Sequence, residues 1–173
     1  MKRSDIKELP EYFDRYINLV DDIELSEAFD KSLQQIDELD VEKLNRIGLQ
    51  VYEDGKWSVN KIIQHITDWE RIFCYRTLVF ARREGTVPEG LEEKTLAENS
   101  NADELPIEQI IAELRAVRIA TKAMFDTFNR QILETNCKFW KYEMSVLAMG
   151  FNTIGHQLHH FKVIEERYFP LDK

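Results

Sequence analysis

Glycine and proline are scarce in this chain of 173 residues, which contains six glycines and four prolines. Strand-like alternation is also nearly absent, and helical periodicity dominates. No run of about eighteen apolar residues, the minimum for a transmembrane helix, is present. The first residues, Met1 to Asp5, lack the apolar core of a secretory signal peptide. We therefore expect a helical, cytoplasmic protein with no membrane association.

Cysteines are few as well, and the 23 basic residues are outnumbered by 32 acidic ones. The net charge is −9, which argues against binding to a nucleic-acid backbone, because such proteins usually present a basic face. Cys74 and Cys137 are far apart and form no C-x-x-C motif, so we expect two free thiols packed as small hydrophobic groups. A hydrophobic content of 43% and a charged content of 32% indicate one globular domain over residues 1–173.

Apolar residues spaced by three or four predict an all-α, four-helix bundle with no sheet. The predicted long helices cover about 25–39, 58–83 after the N-cap Ser58, 106 to 131 or 132, and 145–168 after the N-cap Ser145. A short helix is expected within 11–20, a loose arm over 1–10, and a connection with one short turn over 40–52. The segment 85–105 has no clear periodicity, and a loop of that length predicts a crossover that makes the second and third long helices parallel.

Three of the four histidines lie within five residues, at His156, His159 and His160. Positions i and i+4 share one face of a helix, so His156 and His160 can point at a common centre. His65 lies on the second long helix, on a face shared with Ile62, Trp69 and Ile72, so it should point inward. Two imidazoles from one helix and one from another can hold a divalent metal with an open coordination position.

Simpler interpretations stay open for each of these residues. A single inward histidine is more often a hydrogen-bonded core residue than a metal ligand. Two histidines can also be spaced by four residues by chance. His159, about 100° around the helix from His160, is expected beside the ligands or in solvent. Asn152 and Thr153, one turn before His156, are predicted to contact a substrate. Arg76 and Arg167 are predicted to bind an anionic group, although such arginines more often form ion pairs with neighbouring acids, here Glu165 or Glu70.

The chain resembles the DinB/YfiT-type metalloenzyme family over nearly its whole length. The resemblance is carried by the following stretches: Gly55-Lys56-Trp57-Ser58-Val59, Ile63-Gln64-His65, Asp68-Trp69-Glu70-Arg71-Ile72-Phe73, Leu114-Arg115-Ala116-Val117-Arg118, Gly155-His156-Gln157-Leu158-His159-His160 and Val163-Ile164-Glu165-Glu166-Arg167-Tyr168. It implies an up-down-down-up four-helix bundle, a divalent metal (usually zinc or nickel) on His65, His156 and His160, and a homodimer. Relatives commonly carry glutamate where this chain has Gln157, which puts any acid–base role of that position in doubt.

Three functions remain open at this point. The resemblance implies a metal-dependent transferase that uses a low-molecular-weight thiol such as bacillithiol or mycothiol and an electrophilic substrate, and a metal-bound thiol is readily deprotonated. A metal-dependent hydrolase is the first alternative, weakened by the absence of a carboxylate next to the histidines. A non-catalytic dimeric bundle that binds a metal or a ligand is the second. The aromatic residues Tyr12, Tyr16, Phe139, Trp140 and Tyr142 would then form a dimer face, or they are ordinary core.

Overall fold

The computed structural model describes residues 1–172, apart from the side chain of Cys137, so the predictions for that thiol lie outside the described part. The elements, in chain order, are α1 (Asp14–Ile17), α2 (Leu25–Asp37), α3 (Val41–Ile47), α4 (Val59–Arg82), α5 (Glu93–Glu98), α6 (Ile107–Phe125), α7 (Arg130–Leu133), β1 (Asn136–Phe139), β2 (Tyr142–Ser145) and α8 (Val146–Val163). A single π-helical turn, Ile164–Tyr168, extends α8.

The predicted start signals of the long helices are confirmed. The side chain of Ser58 accepts a hydrogen bond from the Lys61 amide, and that of Ser145 accepts one from the Ala148 amide, so both serines are N-caps. The prediction that the third long helix reaches 131 or 132 is wrong. It ends at Phe125, because Asn129 caps a separate short helix, α7, by accepting a hydrogen bond from the Ile132 amide.

Side-chain contacts define the direction of each long helix. Between α4 and α6 the bonded pairs keep a nearly constant sequence separation, 48 residues for Glu70–Arg118 and 47 for Cys74–Thr121, as parallel helices require. Between α2 and α6 the separation grows from 78 to 96 residues along the pair, which is the pattern of antiparallel helices. The segment between α4 and α6 is therefore a crossover, and the up-down-down-up bundle is confirmed.

The core consists of two apolar clusters with a polar layer between them. One cluster joins α1, α2, the end of α6, the hairpin and the first half of α8, and the other joins α3, the starts of α4 and α6, and the end of α8. Buried polar residues lie where the clusters meet: Ser32, His65, Glu70, Arg118, His156 and Gln157. The histidines thus lie at mid-height in the bundle, where an interior site is expected.

Three local predictions need correction. The first residues are not a loose arm, because Lys2 pairs with Glu24 in a β-bridge and the Met1 side chain packs on the core. Segment 85–105 contains α5 and a 3₁₀ turn, Ala102–Glu104. A two-stranded antiparallel hairpin, β1–β2, precedes α8 although no sheet was expected. Its strands have four residues each, too short for a periodicity signal.

No helix in the described part of the chain is both long and apolar enough to cross a membrane.

Candidate metal centre

Three histidines from two helices converge in the polar layer. His65 comes from the second turn of α4, and His156 and His160 come from successive turns of α8. One ring nitrogen from each lies within 4.8 Å of the others. The ring centroids are 5.1 Å apart for His65–His156, 4.8 Å for His65–His160 and 4.6 Å for His156–His160. The three residues predicted as ligands are therefore brought together at one point.

The two histidines of α8 already have the spacing of ligands on one ion. Their Nε2 atoms are 3.2 Å apart. Two nitrogens bound tetrahedrally to zinc, each at about 2.0–2.1 Å, are separated by about 3.3 Å. The i, i+4 relationship on a helix produces this spacing without strain. The donor set thus fits a divalent metal that accepts imidazole ligands.

Burial keeps these rings neutral, which is the form that binds metals. Desolvation lowers the pKa of His65 to about 4 and that of His160 to about 3. Burial also lowers the pKa of His156, well below its ordinary value, and the neighbouring rings add to the effect. At neutral pH each imidazole therefore offers a lone pair.

Aromatic rings enclose the cluster. His65 contacts the Trp57 ring, with centroids 5.0 Å apart, and Trp69 one turn further along α4. His156 meets Phe73 at 5.7 Å and Tyr16 at 5.4 Å, both edge-on. This apolar surrounding explains the low pKa values and leaves the nitrogens as the main polar groups.

Carboxylates take no part in the cluster among the described residues. Asp68, one turn after His65, accepts a hydrogen bond from Gln64 and pairs with Arg71, so it acts as a surface carboxylate. His159 is half-buried beside the ligands, with its ring 5.0 Å from that of His160 and 5.3 Å from that of Tyr16. This placement agrees with its expected position outside the ligand set.

A cavity of about 260 Å³ opens beside His156. Its lining combines residues of the N-terminal segment, α4, the crossover and the hairpin: Tyr12, Phe13, Tyr16, Trp69, Phe73, Arg76, Gly90, Leu91, Glu92, Glu93, Phe139, Trp140, Tyr142 and His156. All five aromatic residues predicted as a dimer face or as core therefore line this cavity. Its wall could not be predicted from the sequence, because with His156 of α8 it joins five segments that no periodicity connects.

The four predicted substrate-binding residues have different environments. Arg76 lines the cavity with His156. Asn152 is fully buried, and its side-chain amide has no hydrogen-bond partner among the described residues. Thr153 is buried and donates to the carbonyl of Met149. Arg167 is exposed, 6.0 Å from the Tyr52 ring. Of the four, the structure brings only Arg76 to the cavity.

The buried ion pair between Arg118 and Glu70 was not predicted from the sequence. Arg118 donates to both oxygens of Glu70, at 2.8 Å from Nη2 and 2.9 Å from Nε, and its Nη1 donates to Ser32. Gln157, next to His156, donates to the carbonyl of Ser32. Glu70 and Arg118 each lie within a helical stretch that resembles the family, but single positions do not reveal which partner each residue meets.

Comparison with known proteins gives two findings. A family model described as the DinB superfamily matches residues 24–164. The fold is similar to that of YfiT from Bacillus subtilis, described as a probable metal-dependent hydrolase with an unusual four-helix bundle topology, with a TM-score of 0.61, 18% sequence identity, and coverage of 90% of this chain and 85% of that one. No curated protein matches this sequence significantly.

Proposed function

This chain belongs to the DinB superfamily, and from that premise we propose that it is a divalent-metal-dependent enzyme that transfers a low-molecular-weight thiol to a small electrophile. The observation that carries the proposal is the convergence of three neutral imidazoles, two buried and one half-buried, next to an aromatic cavity. Zinc or nickel suits this donor set, although imidazole accepts several first-row metals.

His65, His156 and His160 would hold the ion, and their neutral lone pairs make up three of its ligands. Three protein ligands are the number found in catalytic zinc sites, which keep a further position open. A divalent ion bound there supplies Lewis acidity, which lowers the pKa of a coordinated thiol or water. The ligand rings stay fixed because two come from one helix and because His65 and His156 are packed against aromatic side chains.

Within the described residues no carboxylate joins the histidine cluster, which supports a thiol rather than water as the nucleophile. A water nucleophile usually needs a general base, as in the H-E-x-x-H proteases, and here Gln157 follows His156. A thiol is already acidic enough to ionise without one. In the transfer, the sulfur bonds to the electrophilic carbon, the leaving group departs with its electron pair, and solvent takes the thiol proton.

Cys74 is not suited to act as the nucleophile in this chemistry. Burial raises the pKa of Cys74 to about 11, and its Sγ lies 3.1 Å from the Thr121 hydroxyl. A thiol held protonated in this way is a poor nucleophile. The reacting sulfur would therefore come from a cosubstrate.

The test is a transfer assay with monochlorobimane as electrophile and bacillithiol, mycothiol, glutathione or cysteine as thiol. We expect the zinc- or nickel-loaded chain to accelerate conjugation with at least one thiol, and the His65→Ala variant to lose the acceleration. Rates equal to the thiol-only background with every thiol and both metals would contradict the proposal.

Hydrolysis is the second candidate, and the fold similarity to YfiT favours it. A panel of ester, amide and phosphoester substrates, assayed with the same metal-loaded chain, separates the two. Turnover on that panel without thiol would favour hydrolysis. The homodimer stays a prediction, which sedimentation velocity of the purified chain tests.

A further inference from the structure

The guanidinium of Arg76 is a buried cation without a counter-charge. The residue is only 3% exposed, and its Nη2 donates to the backbone carbonyl of Glu89 at 2.9 Å. Among the described residues, no carboxylate oxygen lies within 4.0 Å of it, whereas the other buried arginine of the bundle, Arg118, has Glu70. Removing a cation from water without a partner is costly. The cavity therefore holds a positive charge that an anionic ligand would stabilise.

Flat apolar walls surround this charge. The Arg76 guanidinium lies 4.7 Å from the Phe139 ring centroid and 5.6 Å from that of Trp69. The ring of Phe13 stands edge-on to Tyr142 at 5.0 Å, and Tyr12 stacks on Tyr142 at 5.9 Å. Aromatic walls of this kind favour a planar, carbon-rich ligand, which can stack or meet them edge to face.

Arg76 and His156 lie close together along the cavity. Phe73 contacts His156, and Arg76 follows Phe73 by three residues, about 4.5 Å along the axis of α4. The cavity volume of about 260 Å³ is below the usual range of drug-sized sites. A ligand that reaches both Arg76 and His156 is therefore small.

The rim limits the charge of the ligand. Glu92 and Glu93 line the mouth and are exposed, and the chain as a whole carries a net charge of −9. These negative charges repel a phosphate dianion or a polyanion more than a single carboxylate. A planar guanidinium also matches the two oxygens of a carboxylate.

We infer that the cavity is a substrate site for a small aromatic monocarboxylate, whose carboxylate pairs with Arg76 and whose opposite end faces the histidines. This inference names the substrate class of the proposed enzyme, and the role of the bound acid as a substrate rests on the proposed function. The binding itself requires no metal.

The experiment compares acids with their neutral amides by calorimetry on the metal-free chain. The probes are benzoate, phenylacetate and 3-phenylpropanoate against benzamide, phenylacetamide and 3-phenylpropanamide. We expect at least one acid to bind roughly ten- to a hundredfold more tightly than its amide, as an ionic hydrogen bond provides. Arg76→Met should bring the ratio close to one, and Arg76→Lys should retain part of it. Arg82→Met, an exposed arginine on the same helix, is the matched control and should keep the parental ratio.

Equal affinity for acids and amides, no binding of any probe at millimolar concentration, or an unchanged ratio in Arg76→Met would overturn the inference. Circular dichroism of each variant verifies the fold. Because the metal-free chain is used, the result is independent of turnover. Arg76-dependent acid binding without any thiol transfer would support this inference and count against the proposed function. Thiol transfer without Arg76-dependent acid binding would support the proposed function and overturn this inference.

Discussion

Gly155 lies directly against the backbone of Tyr16. A Cβ at Gly155 would be 2.0 Å from the carbonyl oxygen of Tyr16 and 2.4 Å from its carbonyl carbon, so no other residue fits without moving α1. The Tyr16 ring in turn contacts His156 edge-on at 5.4 Å. Because Gly155 has no side chain, α1 can approach α8 closely, and this approach places the Tyr16 ring beside the candidate metal centre.

Gly155→Ala should destabilise the chain by about 3 kcal/mol, the upper part of the range for overpacked cores, because the added methyl group meets backbone. Urea unfolding measures this free energy. Gly150→Ala on the same helix is the control. Its Cβ would meet only side-chain ends, those of Leu25 and Phe125 at 3.0 Å, and we expect a cost of about 1 kcal/mol or less. Equal costs for the two variants would contradict the role given to the close backbone approach.

Alanine at His65, His156 or His160 should each abolish stable metal binding, because two imidazoles remain where three are needed. Elemental analysis after dialysis measures the metal content, which we expect to be about one ion per parental chain. His159→Ala is the matched control, since that ring lies outside the cluster, and it should keep the metal. Retention of metal in all three ligand variants would rule out the site.

Acid should destabilise the metal-free chain because its histidines are buried neutral. The folded pKa of His65 is about 4 and that of His160 about 3, below the unfolded value of about 6.5. The unfolded state therefore binds more protons below pH 6.5, and stability falls as the pH drops from about 6.5 towards 3. Unfolding free energies measured across this range should decline less steeply in His65→Asn. Parallel curves for the two proteins would contradict the assigned shift.

Breaking the Arg118–Glu70 pair should cost about 3–5 kcal/mol, because the remaining partner is a buried, unpaired charge. Glu70→Leu and Arg118→Met test this singly by urea unfolding. The double variant should recover much of the loss, since two apolar residues need no partner. If the double variant lost as much free energy of unfolding as the two single variants together, the two residues would not be coupled, and this would contradict the prediction.

Much of the bundle could be predicted from the sequence, and the reasons are local. Ser58 and Ser145 carry cap signals that depend only on their own neighbours, and the i, i+4 pair His156–His160 needs only helix geometry. The parallel arrangement of α4 and α6 followed from the length of the crossover. The convergence of His65 with that pair could be predicted because His65 lies on the inward face of α4. Inward-facing side chains from different helices of a bundle meet in its single core.

The features that sequence analysis missed are all non-local. The hairpin before α8 rests on eight paired residues that show no useful alternation. The close packing of α1 on Gly155 and the Arg118–Glu70 pair depend on which helix faces which, and neither is visible in periodicity. Arg76 was predicted to bind an anion, but the cavity around it joins segments from distant parts of the chain, so its walls follow only from the three-dimensional structure.

Tyr12 and Trp140 both line the cavity, and both have backbone angles in the left-handed region, with φ of 75° and 48°. Bulky residues adopt this region at an energetic cost, and glycine would relieve it. Glycine at the exposed Arg83, where φ is 52°, would relieve the same kind of strain outside the lining of this cavity. Glycine at Tyr12 or Trp140 would instead delete a ring that lines the cavity, so heat resistance gained at these two positions would come with loss of part of its wall.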